Sequence, residues 1–574
     1  MRRQRASAPV RLAGLAAAVA LAVLAGAVAV RLAGRRSPAP VPAAAPPPEG
    51  RAVDVKERVR HEEYRLGKLH ADIRGASFFL GPDGRNHLLG AVEIVNYSPE
   101  GEVQSRLTAG EVVYDPGATR FTVTGGVRVE AGGAVLEGPS FDHDKEAGLF
   151  GTVSGGAFAA ESVTGRAATV RYAEREDEVR LAGGFRVEIA AAGGAGESAV
   201  LTGEELVYRR RERRGLAGGE VTFSGPGFRG EAAGVTFVAA GDGRGIASAV
   251  FEGGPGGPAR LELTDRSGPE TDLRAARIEV LFGPDGAAES WSAAGDFRAG
   301  FGATVLEGAA AAFDATAGTL RAEGAPGRPA SADSPEARVE AALLAAGPAA
   351  GDLAASGAVA CLLKPGEGRR AGGFFAEGEA VRVSCDSLAF RGGAGSAALA
   401  GRVQVRQGDA LLEAGEMSFS DADGELRAGG GVAAGLSRPA AGDGAPGGRI
   451  ELAGDAMAFS AAGRLLAFRG RSRAAIPEAR LEAGAVSAVL DGAGSVASVA
   501  AGTEVVLSKG AYRGLAGAAV YLPGPGRIVL TGRPVLTDGK GGATRGDKLT
   551  LDLADDKISV ENEGQGRSAT VVKS

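Results

Sequence analysis

The stretch GRVQVRQGDALLEAGEMSFSDADGEL, residues 401–426, decides how this chain folds. Shifted by 106 residues, it lies without a gap over GDFRAGFGATVLEGAAAAFDATAGTL, residues 295–320. Val403 falls on Phe297, Leu412 on Leu306, Glu413 on Glu307, Phe419 on Phe313, Gly424 on Gly318 and Leu426 on Leu320. A looser copy, GVRVEAGGAVLEGPSFDHDKEAGLF, occupies residues 126–150, and RIVLTGRPVLTDGKGGATRGDKLTLDL, residues 527–553, is a further variation. Each copy alternates apolar and polar residues, breaks at glycine or aspartate and alternates again. Three of them reach a polar turn near Gly148, Gly318 or Gly424. Period-two alternation buries one face of a strand and leaves the other in water. Glycine supplies the positive φ that tight hairpins demand. A unit of about 25 residues therefore reads as two strands, and successive units as an elongated antiparallel stack.

Composition agrees. Of 574 residues, 94 are glycine and only 5% are aromatic, which disfavours helices because each interior glycine costs about 1 kcal/mol relative to alanine. The glycines follow no three-residue period, so collagen is excluded. An apolar fraction of 44% is enough to build a core. The 64 basic and 70 acidic residues are mixed along the chain, with no basic stripe for nucleic acid. The two cysteines, Cys361 and Cys385, lie in strand-like surroundings and fit neither a zinc ribbon nor a redox pair. Two buried thiols and one disulfide bracing neighbouring strands both remain open.

Residues 12–30 carry no charge, and a helix of that length spans about 28 Å, close to the hydrocarbon thickness of a bilayer. Arg2, Arg3, Arg5 and Arg11 precede it and favour a cytoplasmic N-terminus. Residues 1–36 thus read as a cytoplasmic tip and a transmembrane signal anchor. A cleaved signal peptide is the alternative, and either reading exports the rest of the chain. The Pro/Ala-rich residues 37–50 read as a semi-rigid spacer. Composition divides the remainder into β repeats over 51–190, 191–324, 353–435 and 449–574. Between them lie an Ala/Pro-rich break at 325–352 and a linker at 436–448.

No motif points to catalysis or a cofactor. GPGFRG, residues 225–230, matches a dinucleotide fingerprint formally, but an alternating strand follows where that fold needs a helix. His61, His70, His87 and His143 show no metal-ligand spacing, and FDHDKE, residues 141–146, reads as a solvated turn. No nucleophile elbow or Walker lysine is present, and no carboxylate pair stands out for glycoside hydrolysis. Arg545-Gly546-Asp547 starts a strand like its counterparts in the other copies.

Two stretches carry a family resemblance. HLLGAVEIVNYSPEGEVQSRLTAGEVVYDPGATRFTVTGGVRVEAGGAVLEGPSFDHD, residues 87–144, resembles the membrane-anchored LptC type of the LptA/LptC (OstA-like) lipopolysaccharide-export family. RIVLTGRPVLTDGKGGATRGDKLTLDLADDKISVEN, residues 527–562, is similar to the OstA-like repeat of LptA. The chain is far longer than a typical LptC-type protein. The resemblance implies an antiparallel β-jellyroll with an apolar interior that conducts lipid A acyl chains. It also implies an inner-membrane ABC transporter at one end and a bridge or outer-membrane translocon at the other.

The reading is therefore an all-β, elongated antiparallel β-jellyroll of stacked hairpin repeats, preceded by one transmembrane helix. Alternation places Val127, Val129, Leu136, Phe297, Leu306 and Val403 on the inner wall, with Val405, Leu412, Ile528, Leu530, Leu549 and Leu551. Under the resemblance these residues line a lipid groove, with no catalytic residue, metal or cofactor. A structural or adhesive β-solenoid with a closed interior is the competing class, and a carbohydrate-active β-helix a third.

Overall fold

The computed structural model describes residues 55–571, apart from 116, 118, 153, 192–196, 242–244, 265–270, 348–350, 366–378, 421–423, 438–447, 493 and 563–568. The expected anchor and spacer lie outside the described residues. Among the described residues every regular element is a β-strand, and no helix is long and apolar enough to cross a membrane.

Neighbouring strands pair antiparallel in chain order. Arg120–Ala131, for example, lies between Val103–Tyr114 and Ala134–Asp144. Halfway along it the chain passes through two left-handed residues, Gly125 (φ 84°) and Gly126 (φ 76°). The pairing register shifts there, between Thr124 and Val127. One extra residue on one strand of a pair bends that strand sharply. Equivalent corners occur at Gly90–Ala91, Gly183–Gly184, Gly219–Glu220, Gly357–Ala358, Gly401–Arg402 and Gly430–Gly431. At Gly125 two constraints coincide, because a Cβ there would also lie 2.9 Å from Cα of Gly110 on the next strand.

Each corner carries its strand from one layer into a second layer facing it. Phe223 and Phe237 lie in opposite layers with ring centroids 5.9 Å apart, and Phe228 and Phe282 meet at 4.9 Å. In places a loop replaces the corner. Ile246–Glu252 pairs with one half of Phe228–Ala239 and Ala259–Leu263 with the other half, so each half-strand extends a different layer. Leu149–Thr152 and Gly156–Ala160 divide in the same way against Ala134–Asp144. Within each compact unit the corners lie on one side of the double layer, and on the other side the hairpin turns of the two layers face each other across a slot that side chains bridge.

The chain forms two compact units. One ends at Ala299 and takes in Ala312–Thr316; the other holds Gly300–Ala311 and the chain from Ala317 onward. The repeat found in sequence is a repeat of backbone conformation. Gly125, Gly295 and Gly401 have φ of 84°, 80° and 76°, whereas Gly148, Gly318 and Gly424 have 64°, 59° and 63°. The second set forms hairpin turns, as expected. The first set bends strands instead of reversing them, so each of the two strands in a unit serves both layers. Val123, Val127 and Val129 are all buried, and the alternation passes through the corner in phase.

Several expected borders fall inside continuous sheet. Glu178–Ile189 and Ala199–Arg209 pair along their lengths across the 190/191 border. Glu425–Ser437 and Arg449–Ser460 pair from Glu425↔Ser460 to Ser437↔Arg449, so the 436–448 linker joins two adjacent strands of one sheet. The 325–352 break carries the paired strands Ala330–Asp333 and Ala337–Ala341, with Leu343–Gly347 paired to both of its neighbours. Their inward positions are held largely by alanine (Ala330, Ala337 and Ala341, all at most 2% exposed), so the alternation is present but faint in hydropathy.

The corner geometry predicts a contrast between adjacent glycines. Valine at Gly125 meets both the left-handed φ and the Gly110 backbone, and should weaken local stability by about 2 kcal/mol or more. Asparagine at Gly126, where a Cβ meets nothing within 4 Å, should cost less than about 1 kcal/mol. Amide exchange across Val103–Tyr114 and Arg120–Ala131 reads both effects. Equal losses would mean that Gly125 is not packed against Gly110.

Candidate functional site

The space between the layers is the feature to which the sequence repeat is devoted. Cross-strand register aligns the inward side chains into rows. In the C-terminal unit Met417, Ala428, Met457, Phe468 and Val486 are successive partners on five strands, all between 0 and 6% exposed. The same alternation turns Arg128 and Gln404 to solvent on the outer faces.

All twelve expected wall residues are buried, between 0 and 7% exposed. Val129 stands opposite Leu136, Val405 opposite Leu412, Ile528 opposite Leu551 and Leu530 opposite Leu549. Val127 and Val403 occupy the first position after their corners and face Gly138 and Ala414. Leu306 faces Ala332, which the sequence reading did not single out. Phe297 follows the Gly295–Asp296 corner in the same way.

Sequence reading missed the bulk of the interior. Tyr172, Tyr208, Phe141 and Phe223 are fully buried in one unit, and Tyr521, Phe459 and Phe468 in the other. Although few, the aromatic side chains fall on the inward phase and fill the space between the layers. The phase itself was the signal that could have found them.

His143 is the second omission. It lies not in a turn but on the inward face of Ala134–Asp144, 5% exposed. Its ring stacks on Phe150 with centroids 3.9 Å apart and meets the edge of Phe121 at 4.8 Å. Nδ1 has no hydrogen-bond partner. Burial pushes its pKa down to about 4, and the nearby Lys145 charge acts in the same direction.

Cys361 and Cys385 are both buried free thiols. They are diagonal neighbours, since Cys361 faces Val383 and Cys385 faces Val359. Burial raises their pKa values to about 12 and about 11. Gly225–Gly230 forms the hairpin between Arg214–Gly225 and Phe228–Ala239 with Gly227 at φ 77°, not a phosphate loop. Among the described residues no cluster of His, Cys, Asp or Glu could hold a metal ion.

Residues 382–557 match the family described as LptA/(LptD N-terminal domain) LPS transport protein. This stretch carries an LptA/LptD-type domain. It includes the wall residues Val403, Leu412, Ile528, Leu530 and Leu551. Residues 87–144, expected from their resemblance to be of the LptC type, lie outside the match. Among solved structures, the chain is similar to LptH, the LptA-homologous periplasmic component of the lipopolysaccharide transport device of Pseudomonas aeruginosa. Identity is 13%, with 22% of this chain and 95% of that chain covered and a TM-score of 0.20. No curated protein matches.

His143 gives the interior a measurable pH signature. Between about pH 6.5 and about pH 4 the unfolded chain binds a proton on this ring that the folded chain refuses. The folded-state pKa is the lower one, so stability present above the unfolded pKa is lost as pH falls through that window. Relative to wild type, His143→Phe should gain about 3 kcal/mol in local stability on going from pH 7 to pH 4. Hydrogen exchange of Ala134–Asp144 at several pH values measures the gap. A gap that does not change with pH would show that the native ring titrates freely.

Proposed function

We propose that this chain is a non-enzymatic scaffold that binds lipopolysaccharide and conducts it from the inner membrane toward the outer membrane. In this reading the apolar segment 12–30 anchors the chain, with its N-terminus cytoplasmic and its bulk periplasmic. An inner-membrane ABC transporter delivers the lipid. A bridge or outer-membrane translocon receives it through pairing at exposed strand edges.

The observation that carries the proposal is the continuous inward apolar wall within the LptA/LptD-type domain. A saturated acyl chain entering between the layers removes about 0.8 kcal/mol of unfavourable hydration per methylene, which offsets the side-chain packing given up as the layers part. The wall side chains are mostly Val, Leu, Ala and Phe, and they present no charge to an acyl chain. Glycines at the corners let each strand bend without a side chain filling the fold of the double layer.

One observation favours the competing reading, a β structure with no guest. Tyr521, Phe468 and Leu412 are 0% exposed, so the interior is packed. Under the conduit reading this packing must open on loading.

Photo-crosslinking in cells separates the two readings. A photoreactive residue at Val127, Val403 or Leu551 should capture lipopolysaccharide at least tenfold more strongly than one at the outward Arg128 or Gln404. Equal capture at inward and outward sites, or capture at outward sites alone, overturns the conduit.

A further inference from the structure

Side chains bridge the slot in each unit, between residues far apart in sequence. In the N-terminal unit Arg210 follows the strand Ala199–Arg209, and its Nη2 donates to the carbonyl oxygen of Gly132 at 2.8 Å, 78 residues away. Gly132 belongs to the turn at the opposite rim, between Arg120–Ala131 and Ala134–Asp144. Nη1 donates to Asp177 at 2.9 Å, and Asp177 also accepts from the Tyr172 hydroxyl at 3.2 Å. A second crossing joins Lys145 to Glu63 at 2.5 Å. A third is backbone, Gly245 N–H to the Ala190 carbonyl at 2.7 Å. In the C-terminal unit Lys509 crosses to the Leu553 carbonyl at 3.2 Å and to the Asp556 carboxylate.

None of these bridges extends a sheet, because the strands on each rim already have their own ladder partners. Their local geometry is suited to opening. The Arg210 side chain is 9% exposed, yet its Nε has no partner. Desolvating a donor without pairing it opposes closure. The rim it crosses is glycine at both positions, and a Cβ on Gly132 or Gly133 would come within 3.5 Å of the guanidinium. Water can replace every hydrogen bond at Arg210, Lys145 and Lys509 once the rims part, whereas the corner side is held by continuous chain. The double layer can therefore open on one side only.

We propose that Arg210–Gly132, Lys145–Glu63 and Lys509–Leu553/Asp556 are latches that hold the slots shut, and that an acyl chain enters between the layers only when they part. The proposal rests on the conduit reading. It adds that entry is lateral, through the slot, and is controlled by three cationic side chains.

Carbodiimide coupling tests it, because that reagent joins an amine to a carboxylate already in contact and adds no spacer. The full-length chain, reconstituted in lipid nanodiscs with a photoreactive residue at Val127 or Leu551, is treated with carbodiimide. Coupling of Lys145 to Glu63 and of Lys509 to Asp556 is confirmed by peptide mapping, and the chain is then offered radiolabelled lipid A. Coupled protein should capture at least tenfold less lipid than untreated protein. The double variant Lys145→Gln/Lys509→Gln cannot couple at either crossing and should capture undiminished after the same treatment. Arg210→Gln should load about threefold faster than wild type. If untreated and coupled proteins capture alike, the latch falls and the conduit stands. If untreated protein captures nothing, the conduit falls and takes the latch with it.

Discussion

The structure depends on a backbone constraint: two consecutive left-handed residues in the middle of a strand. An L-residue other than glycine in that conformation costs about 1–2 kcal/mol, and Ala91, Glu220, Ala358 and Arg402 adopt it at second corner positions. The cost is met because the corner lets a single strand supply inward side chains to two layers. It also fixes register. A one-residue slip would move every inward side chain to the outer face and can place Thr124 where Gly125 must pass Gly110. In a chain whose strands are so alike, many pairings are nearly equivalent in hydrophobicity. The corners make the native pairing distinct.

The inner wall was legible because burial and alternation are the same fact seen at two levels. Val127, Val129, Val403 and Leu551 could be placed inward from period alone, and their outward neighbours likewise. The corners were not legible, because a Gly-X pair with positive φ serves equally to reverse a strand or to bend it. The polar DADGE around Gly424 marks a turn, but ALAGRVQV around Gly401 shows no bend. The difference lies in what the next strand offers: a Cβ at Gly401 would collide with the Asp386 side chain, whereas one at Gly424 would meet an alanine side chain only at 3.5 Å. The expected borders at 190/191, 325–352 and 436–448 follow composition, for a related reason. The alanine-rich strands near 330–341 keep the period but lose the contrast, and proline-rich loops mark long hairpins as readily as linkers. His143 was misplaced because its acidic neighbours suggested solvent, whereas the strand continues to Asp144 and turns the ring inward.

The LptA/LptD-type domain at 382–557 and the less recognisable N-terminal unit share corners, inward rows and a bridged slot. Their outer faces carry cross-strand ion pairs such as Arg128–Glu137 and Arg402–Asp386. Exposed pairs of this kind contribute about 0–1 kcal/mol each, so they affect solubility and pairing order more than stability. The two units thus use one physical scheme with different side chains.

Where a loop replaces the corner, as between Glu252 and Ala259 or between Thr152 and Gly156, the loop backbone is tied to the neighbouring strand: Gly253 N–H donates to the Ala276 carbonyl at 2.8 Å and Gly155 N–H to the Ala168 carbonyl at 2.7 Å. A loop has more backbone torsions to adjust than a two-residue corner, so such steps are where a stiff ladder has compliance. Under the conduit proposed above, that give at intervals would let the interior admit acyl chains, with rigid rungs between to keep each unit from spreading.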